Sequence, residues 1–320
     1  MAFILKTALR NTSFFIIFIA GFVAGNIHLE AQNGAFPAFY DLRDTQGTQI
    51  KGFFDWDKGI LYATVDLKLA FYGLKLPAGR TRADEILEDE YWRLLRPYLM
   101  SMQADSNSTI NDLVMQGELS LETIDRAREG IMKIPASLTE DLSAITGRYT
   151  VPFSRISSAL GGSRKAAVSI PRLFIPSPAA DYTGIIIIAD TNLPVHGRNS
   201  SAMLKPCLSP KIWDTEMTMI YEKNMAMPEI LQSSRAMPAY TSAGNIFRPT
   251  PSGLDERLIG IVGTNPLRIM ARKVFGAAPT DPVIEKEDAL IILSTENNRR
   301  LLAESRIVLV VNDSVLFTSF

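Results

Sequence analysis

Proton transfer near neutrality needs a side chain that titrates there, and histidine is the residue whose ordinary pKa falls in that range. The 320-residue chain holds two, His28 and His196. His28 lies beside an N-terminal apolar segment, so histidine chemistry would have to run through His196. Around it stand Asp190, Asn192, Gly197 and Arg198, with Ser200 and Ser201 close behind. A serine activated by His196 and oriented by an acid would give acyl transfer. Triads assemble in space, however, and nothing in this spacing reports one. An ordinary loop histidine, with Asp190 capping a strand end or pairing with Arg198, accounts for the same residues. Asp190, Asn192, His196 and Arg198 are therefore read as a ligand or partner loop, and no catalytic, cofactor-binding or metal residue is assigned.

Other chemistry is less well supported. Two histidines and one cysteine give no His/Cys ligand cluster. Asp281, Glu285, Glu287 and Asp288 could gather round a cation, but acids opening a helix answer equally to its macrodipole. Gly260-x-x-Gly263 is too short for a dinucleotide fingerprint and opens no helix pattern. Cys207, between Pro206 and Pro210, reads as a small buried hydrophobe, with thiol-mediated dimerisation left open. One cysteine excludes an intramolecular disulfide.

The elements that must carry these residues follow from hydrophobic spacing. Gly184 to Asp190 is four consecutive isoleucines, an alanine and an acid, which predicts a central strand buried on both faces. The loop with His196 follows it, then Leu204 to Trp213. Upstream, Ile50–Phe54 and Gly59–Phe71 predict strands around the turn Asp55–Gly59. Ala83, Ile86, Leu87, Tyr91, Leu94, Leu95, Tyr98, Leu99 and Met102 form one helical stripe, capped at Thr81 with a kink or break at Pro97. Asp105–Thr109 caps a second helix from Ile110 to Gln116, and a third runs from Leu121 to Glu129. Strands are predicted at Ile131–Leu138 and Ile145–Phe153. Beyond the isoleucine strand, the pattern gives a hairpin over Trp213–Tyr221, strands at Leu258–Val262, Leu267–Val274 and Ile307–Val311, and a helix over Glu285–Glu304 broken near Asn297-Asn298. Residues 223–253 follow no single pattern. The fold class is α+β, with mixed sheets packed by helices in two halves.

Lys6 and Arg10 precede a 12-residue apolar run, Phe14 to Gly25, against roughly 20 residues for a spanning helix. This predicts an export signal over 1–31 with cleavage after Ala31, a retained membrane anchor being the alternative. The mature chain would then keep 320 − 31 = 289 residues, with 31 bases against 33 acids once Lys6, Arg10 and Glu30 are removed. Such a balance speaks against a nucleic-acid partner. The predicted organisation is a signal at 1–31, an N-terminal domain at 32–153, a Pro/Gly linker at 154–183 and a C-terminal domain at 184–320.

Several stretches are familiar together. Asp105 to Leu113 (DSNSTINDL) follows the helix that carries Arg82-Ala83. Ile188-Ala189-Asp190, Lys205 to Ile212 (KPCLSPKI) and Gly263 to Leu267 (GTNPL) come next. Thr280 to Ile284, Glu287-Asp288-Ala289 and Arg306 to Val310 close the series. Over about residues 59 to 311 the chain resembles exported bacterial proteins related to the outer-membrane lipoprotein domain of flagellar basal-disk proteins. It departs from them in lacking the lipid-bearing cysteine, and in having Thr191-Asn192-Leu193 and an insertion through Ser201 where the family loop carries Arg-Gly.

The resemblance implies a non-enzymatic, envelope- or motility-associated protein. The expectation is thus a periplasmic protein without cofactor, acting through protein partners in the envelope, a second copy of itself among them, in a flagellar or outer-membrane assembly. It would have no membrane span after cleavage. The alternative is a periplasmic ligand-binding module or hydrolase using residues 190–201.

Overall fold

The fold was obtained as a computed structural model that describes residues 47–162, 167–172, 179–233, 235 and 237–320. The predicted signal, with His28 and the cleavage point at Ala31, lies outside them, as do parts of the predicted linker.

Strands β1 (Thr48–Asp55) and β2 (Ile60–Lys68) form an antiparallel hairpin in which Phe53 faces Tyr62. The long helix α1 (Arg80–Ser101) follows, then α2 (Ile110–Met115) and α3 (Leu121–Asp125). Strands β3 (Met132–Leu138) and β4 (Ala144–Pro152) complete the first sheet, with β4 against β2 and β3 outside it. Alternation decides what each face does. Leu61, Ala63, Val65 and Leu67 point inward, and the alternate β2 residues are only half-buried.

Helix α1 closes the inner face. Its predicted stripe is buried at Ala83, Leu87, Tyr91, Leu94, Leu95, Leu99 and Met102, while Ile86 and Tyr98 pack half-buried against the same core. Two details differ from expectation. The N-cap is Gly79 rather than Thr81, without a side-chain cap, because the helix begins one residue before Thr81. Of the kink or break expected at Pro97, the break does not form, and the helix runs on to Ser101. Leu94, Leu95, Leu99 and Met100 are buried on both sides of it, and their packing outweighs the hydrogen bond that proline forfeits. Helix α2 starts with the predicted cap: Asp112 N donates to Thr109 Oγ1 at 3.2 Å, and Thr109 N to Asp112 Oδ2 at 2.8 Å.

The first nine residues of the predicted linker, 154–162, together with Phe153 before them, are a helix, α4 (Phe153–Gly162). Phe153, Ile156 and Leu160 lie on one helical face and are buried, a stripe hidden among serines and glycines.

In the second half, β5 (Ile185–Ala189) leads through the short pair β6 (Leu193–Pro194) and β7 (Ser201–Ala202) to β8 (Ile212–Asp214) and β9 (Met219–Tyr221). Next come α5 (Pro228–Leu231), β10 (Ala239–Thr241), α6 (Glu256–Val262), β11 (Leu267–Met270), β12 (Lys273–Phe275) and β13 (Asp281–Ile284). The chain finishes with α7 (Lys286–Ser294), α8 (Glu296–Ala303), β14 (Ile307–Val311), α9 (Asp313–Leu316) and β15 (Phe317–Ser319).

The isoleucine strand is central, as its composition requires. It runs in the order β10-β14-β5-β11, all parallel. Ile185 and Ile187 enter the core shared with Ile292 and Leu301 of α7 and α8. Ile186 and Ile188 meet Leu258 and Val262 of α6 on the other face. A parallel sheet covered on both faces leaves no polar side to alternate. Strands β12-β13-β8-β9 form a smaller mixed sheet. With the antiparallel first sheet and these helices, the protein is α+β.

Three second-half expectations are corrected. Leu258–Val262 is helix, since Leu254, Leu258 and Val262 recur every four residues and all three are fully buried, and Asp255 Oδ1 caps the turn from Arg257 N at 3.1 Å. Leu267–Val274 is two strands in different sheets. The break in the C-terminal helix falls at Thr295, whose Oγ1 accepts from Asn298 N at 3.0 Å.

The described residues belong to one compact unit. Among the contacts that join its halves are these. Leu208 N and Ser209 N donate to the carbonyls of Gln103 and Ala104 at 3.0 and 2.8 Å. The β1–β2 turn docks on β10 and α6, where Asp57 Oδ1 accepts from Thr241 Oγ1 at 2.8 Å and from Arg257 Nη2 at 2.7 Å. Strand β15 pairs with β1, placing Phe53 opposite Ser319.

Candidate functional site

The loop after β5 is a small hairpin. Val195 N donates to Ser200 O at 2.8 Å, and Gly197 at its tip adopts φ 74°, a region costly for other residues. His196 is half-buried at the hairpin's base. Its backbone N–H donates to Val274 O at 2.8 Å, and its ring meets Phe275 edge-on at 6.0 Å. Nδ1 is buried and has no hydrogen-bond partner among the described residues. An orienting acid is what a histidine base requires there. Asp190 is held through its main chain, its carbonyl accepting from Asn312 Nδ2 at 3.0 Å. Arg198 binds through its own N–H to Val195 O at 3.1 Å. Among the described residues, no side-chain hydrogen bond or ion pair links Asp190, Asn192, His196 and Arg198, so neither the expected Asp190–Arg198 pair nor a relay forms.

A buried polar cluster beneath this loop escaped sequence reasoning as a unit. Asp281 opens β13 with no exposed surface. Its carboxylate accepts from Lys211 N at 3.1 Å, Thr280 Oγ1 at 3.1 Å and Trp213 Nε1 at 3.3 Å, and also from the Ser106 side chain. Burial outweighs these donors and holds the carboxyl above its ordinary range. Nearby, Tyr240 Oη donates to Cys207 O at 2.9 Å and accepts from Cys207 N at 3.0 Å. Burial pushes the Cys207 thiol up to about 12 and removes it from reach of a second chain. The open question of thiol dimerisation is thereby answered for the folded protein.

The acids grouped with Asp281 in sequence go elsewhere: Glu285 pairs with Arg272 at 2.9 Å. Among the described residues, no group of three His, Cys, Asp or Glu side chains is placed to hold a metal ion. Through the donors named above, Asp281 acts as a structural acceptor, fixing β13, Lys211 of the 205–213 strap and the Ser106 loop of the other half to one another. The only prior signal was an acid standing directly before Pro282 in an otherwise apolar run.

Two family models match this chain, and both describe the same protein. Residues 47–159 match the N-terminal domain of Treponema pallidum Tp0624. Residues 184–313 match the second domain of Treponema pallidum Tp0624. The chain is thus similar to two domains of Tp0624, in that order; Asp281, Lys211, Trp213 and the His196 hairpin fall in the stretch similar to its second domain, and Ser106 in that similar to its N-terminal domain. No curated protein matches the chain. No helix among the described residues is long and apolar enough to cross a membrane.

Proposed function

We propose that this chain is a non-enzymatic, exported cell-envelope protein that works through protein–protein contacts. The observation that carries this reading is the outer face of the first sheet. Phe53 stacks on Tyr62 across the β1–β2 ladder with ring centroids 5.0 Å apart. Register puts Phe317 on the same face beyond Phe53, and Met132 next to Thr150 on the far side. Phe317, Met132 and Ile134 are each more than half exposed. Single exposed apolar residues are ordinary, but a run across one sheet suits a partner. Placement in a flagellar or outer-membrane assembly rests on the motif resemblance, and export on the N-terminal charge and apolar run.

The test replaces Phe53, Ile134 and Phe317 together by serine. All three are exposed, so the variant is expected to keep its circular-dichroism spectrum and melting temperature. Wild-type protein and His196→Ala should capture the same partner from envelope fractions, and the triple variant should lose it. Capture unchanged by the triple substitution overturns the reading. N-terminal sequencing addresses export separately: a start after Ala31 in the periplasmic fraction supports it, and an intact Met1 in the membrane pellet refutes it.

A further inference from the structure

A concavity away from the His196 hairpin lies between the halves, and no role given above uses it. Its volume is about 130 Å³. Leu113 and Leu119, on either side of the α2 C-terminus, and Leu160 of α4 supply apolar wall. Glu118 of the first half also lines it, and Lys223 of the facing wall donates through Nζ to Leu160 O at 3.0 Å; that wall, from the second half, further carries Lys211 and Glu222. Both are fixed through their main chains: Lys211 N donates to Asp281 Oδ1 at 3.1 Å, and Glu222 O accepts from Met225 N at 3.0 Å. Among the described residues, neither side chain makes a hydrogen bond or ion pair. Asp105 adds a second carboxylate at the rim, held by Asn107 N and Ser108 N at 2.9 Å each.

Lys211 and Glu222, opposite charges in one small cleft with no ion pair of their own among the described residues, complement a ligand carrying both signs. The apolar wall complements a short aliphatic group. The volume is well below the ~300 Å³ where drug-sized sites begin, so the occupant is small.

We propose that this cleft binds a small aliphatic zwitterion of the α-amino-acid class. Its carboxylate meets Lys211, its ammonium meets Glu222 and Asp105, and its side chain rests on Leu113, Leu119 and Leu160. Because each half supplies one wall, occupancy ties the halves together and raises their joint stability. The site is independent of the exposed sheet face, so the two readings fail separately.

The experiment is isothermal titration of the full chain with L-leucine, beside 4-methylpentanoate, which lacks the ammonium, and 3-methylbutylamine, which lacks the carboxylate. Saturable L-leucine binding, at least tenfold weaker for each analogue and for Lys211→Met and Glu222→Gln, is the expected result. Lys211 and Glu222 are partly exposed, and thermal melts check that both variants fold. The analogue comparison on wild-type protein decides the matter even if a variant does not. No heat with L-leucine, equal binding of an analogue, or undiminished binding by a folded variant overturns the proposal.

Discussion

Replacing Asp57 by alanine tests how the two halves are held together. The carboxylate sits in the β1–β2 turn and reaches across to Thr241 and Arg257 at 2.8 and 2.7 Å. The side chains of Asp57 and Arg257 are 22% and 37% exposed, so the pair is partly wet. The Thr241 bond to a charged acceptor contributes about 1.5–3 kcal/mol. The half-solvated ion pair adds about 0.2–1 kcal/mol at such exposure. Asp57→Ala should therefore cost about 2–4 kcal/mol, the sum of these two contributions. The bond from Arg257 Nη1 to Asp57 O, 2.6 Å, survives the substitution and keeps the turn near its place. Urea unfolding measures the loss. A double-mutant cycle with Arg257→Ala isolates the ion pair, with a coupling of about 0.2–1 kcal/mol. Hydrogen exchange should quicken at residues 57–59 and 241–245 while the β5 amides stay protected. Unchanged stability with zero coupling would show that the halves are held by something other than this clamp.

Leu95, 1% exposed beneath the first sheet, should cost about 2–5 kcal/mol when cut to alanine, lowering the melting temperature by several degrees; a melt like the parent's would mean the α1 stripe faces no core. Asp281 has a folded pKa raised above its ordinary 3.8, so the folded state binds the proton more tightly than the unfolded. Its contribution is greatest below pH 3.8 and is lost as pH rises through the folded pKa. Asp281→Asn should remove that part of the slope of urea midpoint against pH, and an unaltered slope would refute the assignment. His196→Ala, tested by complementation with folding checked by circular dichroism, should stay folded and functional; a folded protein that fails to complement would promote the hairpin to a functional site.

Much of the architecture could be read from the sequence where one face meets water. The α1 stripe, the β2 alternation and the Thr109 cap each leave a periodic or local signature, and each forms. Burial on both faces erases that signature. Ile185–Ile188 is legible only because four β-branched residues disfavour a helix. Leu258–Val262 is a short apolar run of the same appearance, and the fact that makes it a helix lies outside the run, in Leu254 and the Asp255 cap. Helix α4 is masked by its serines and glycines. The loop carrying Asp190 and His196 was visible as a loop at a strand end. Its hydrogen bonds were not, because Asn312 and Val274, which hold it, are distant in the chain. The Asp281 cluster draws Ser106 from one segment and Lys211 and Trp213 from another, and no spacing along one strand of sequence records that meeting.

The return of β15 to β1 also bears on how this protein is made. The sheet starts at Thr48, yet its edge is filled by Phe317–Ser319, and the opposed residues Phe53 and Ser319 lie 319 − 53 = 266 positions apart. During synthesis the first four strands and α1 emerge early, but β1 has no outer neighbour until Phe317–Ser319 leave the ribosome. An open strand edge is a template for pairing with any other chain. The interval between making Asp55 and making Phe317 is therefore the period in which nascent chains are most exposed to one another. A chain ending before Phe317 would carry that vulnerability permanently, and its aggregation should begin at β1.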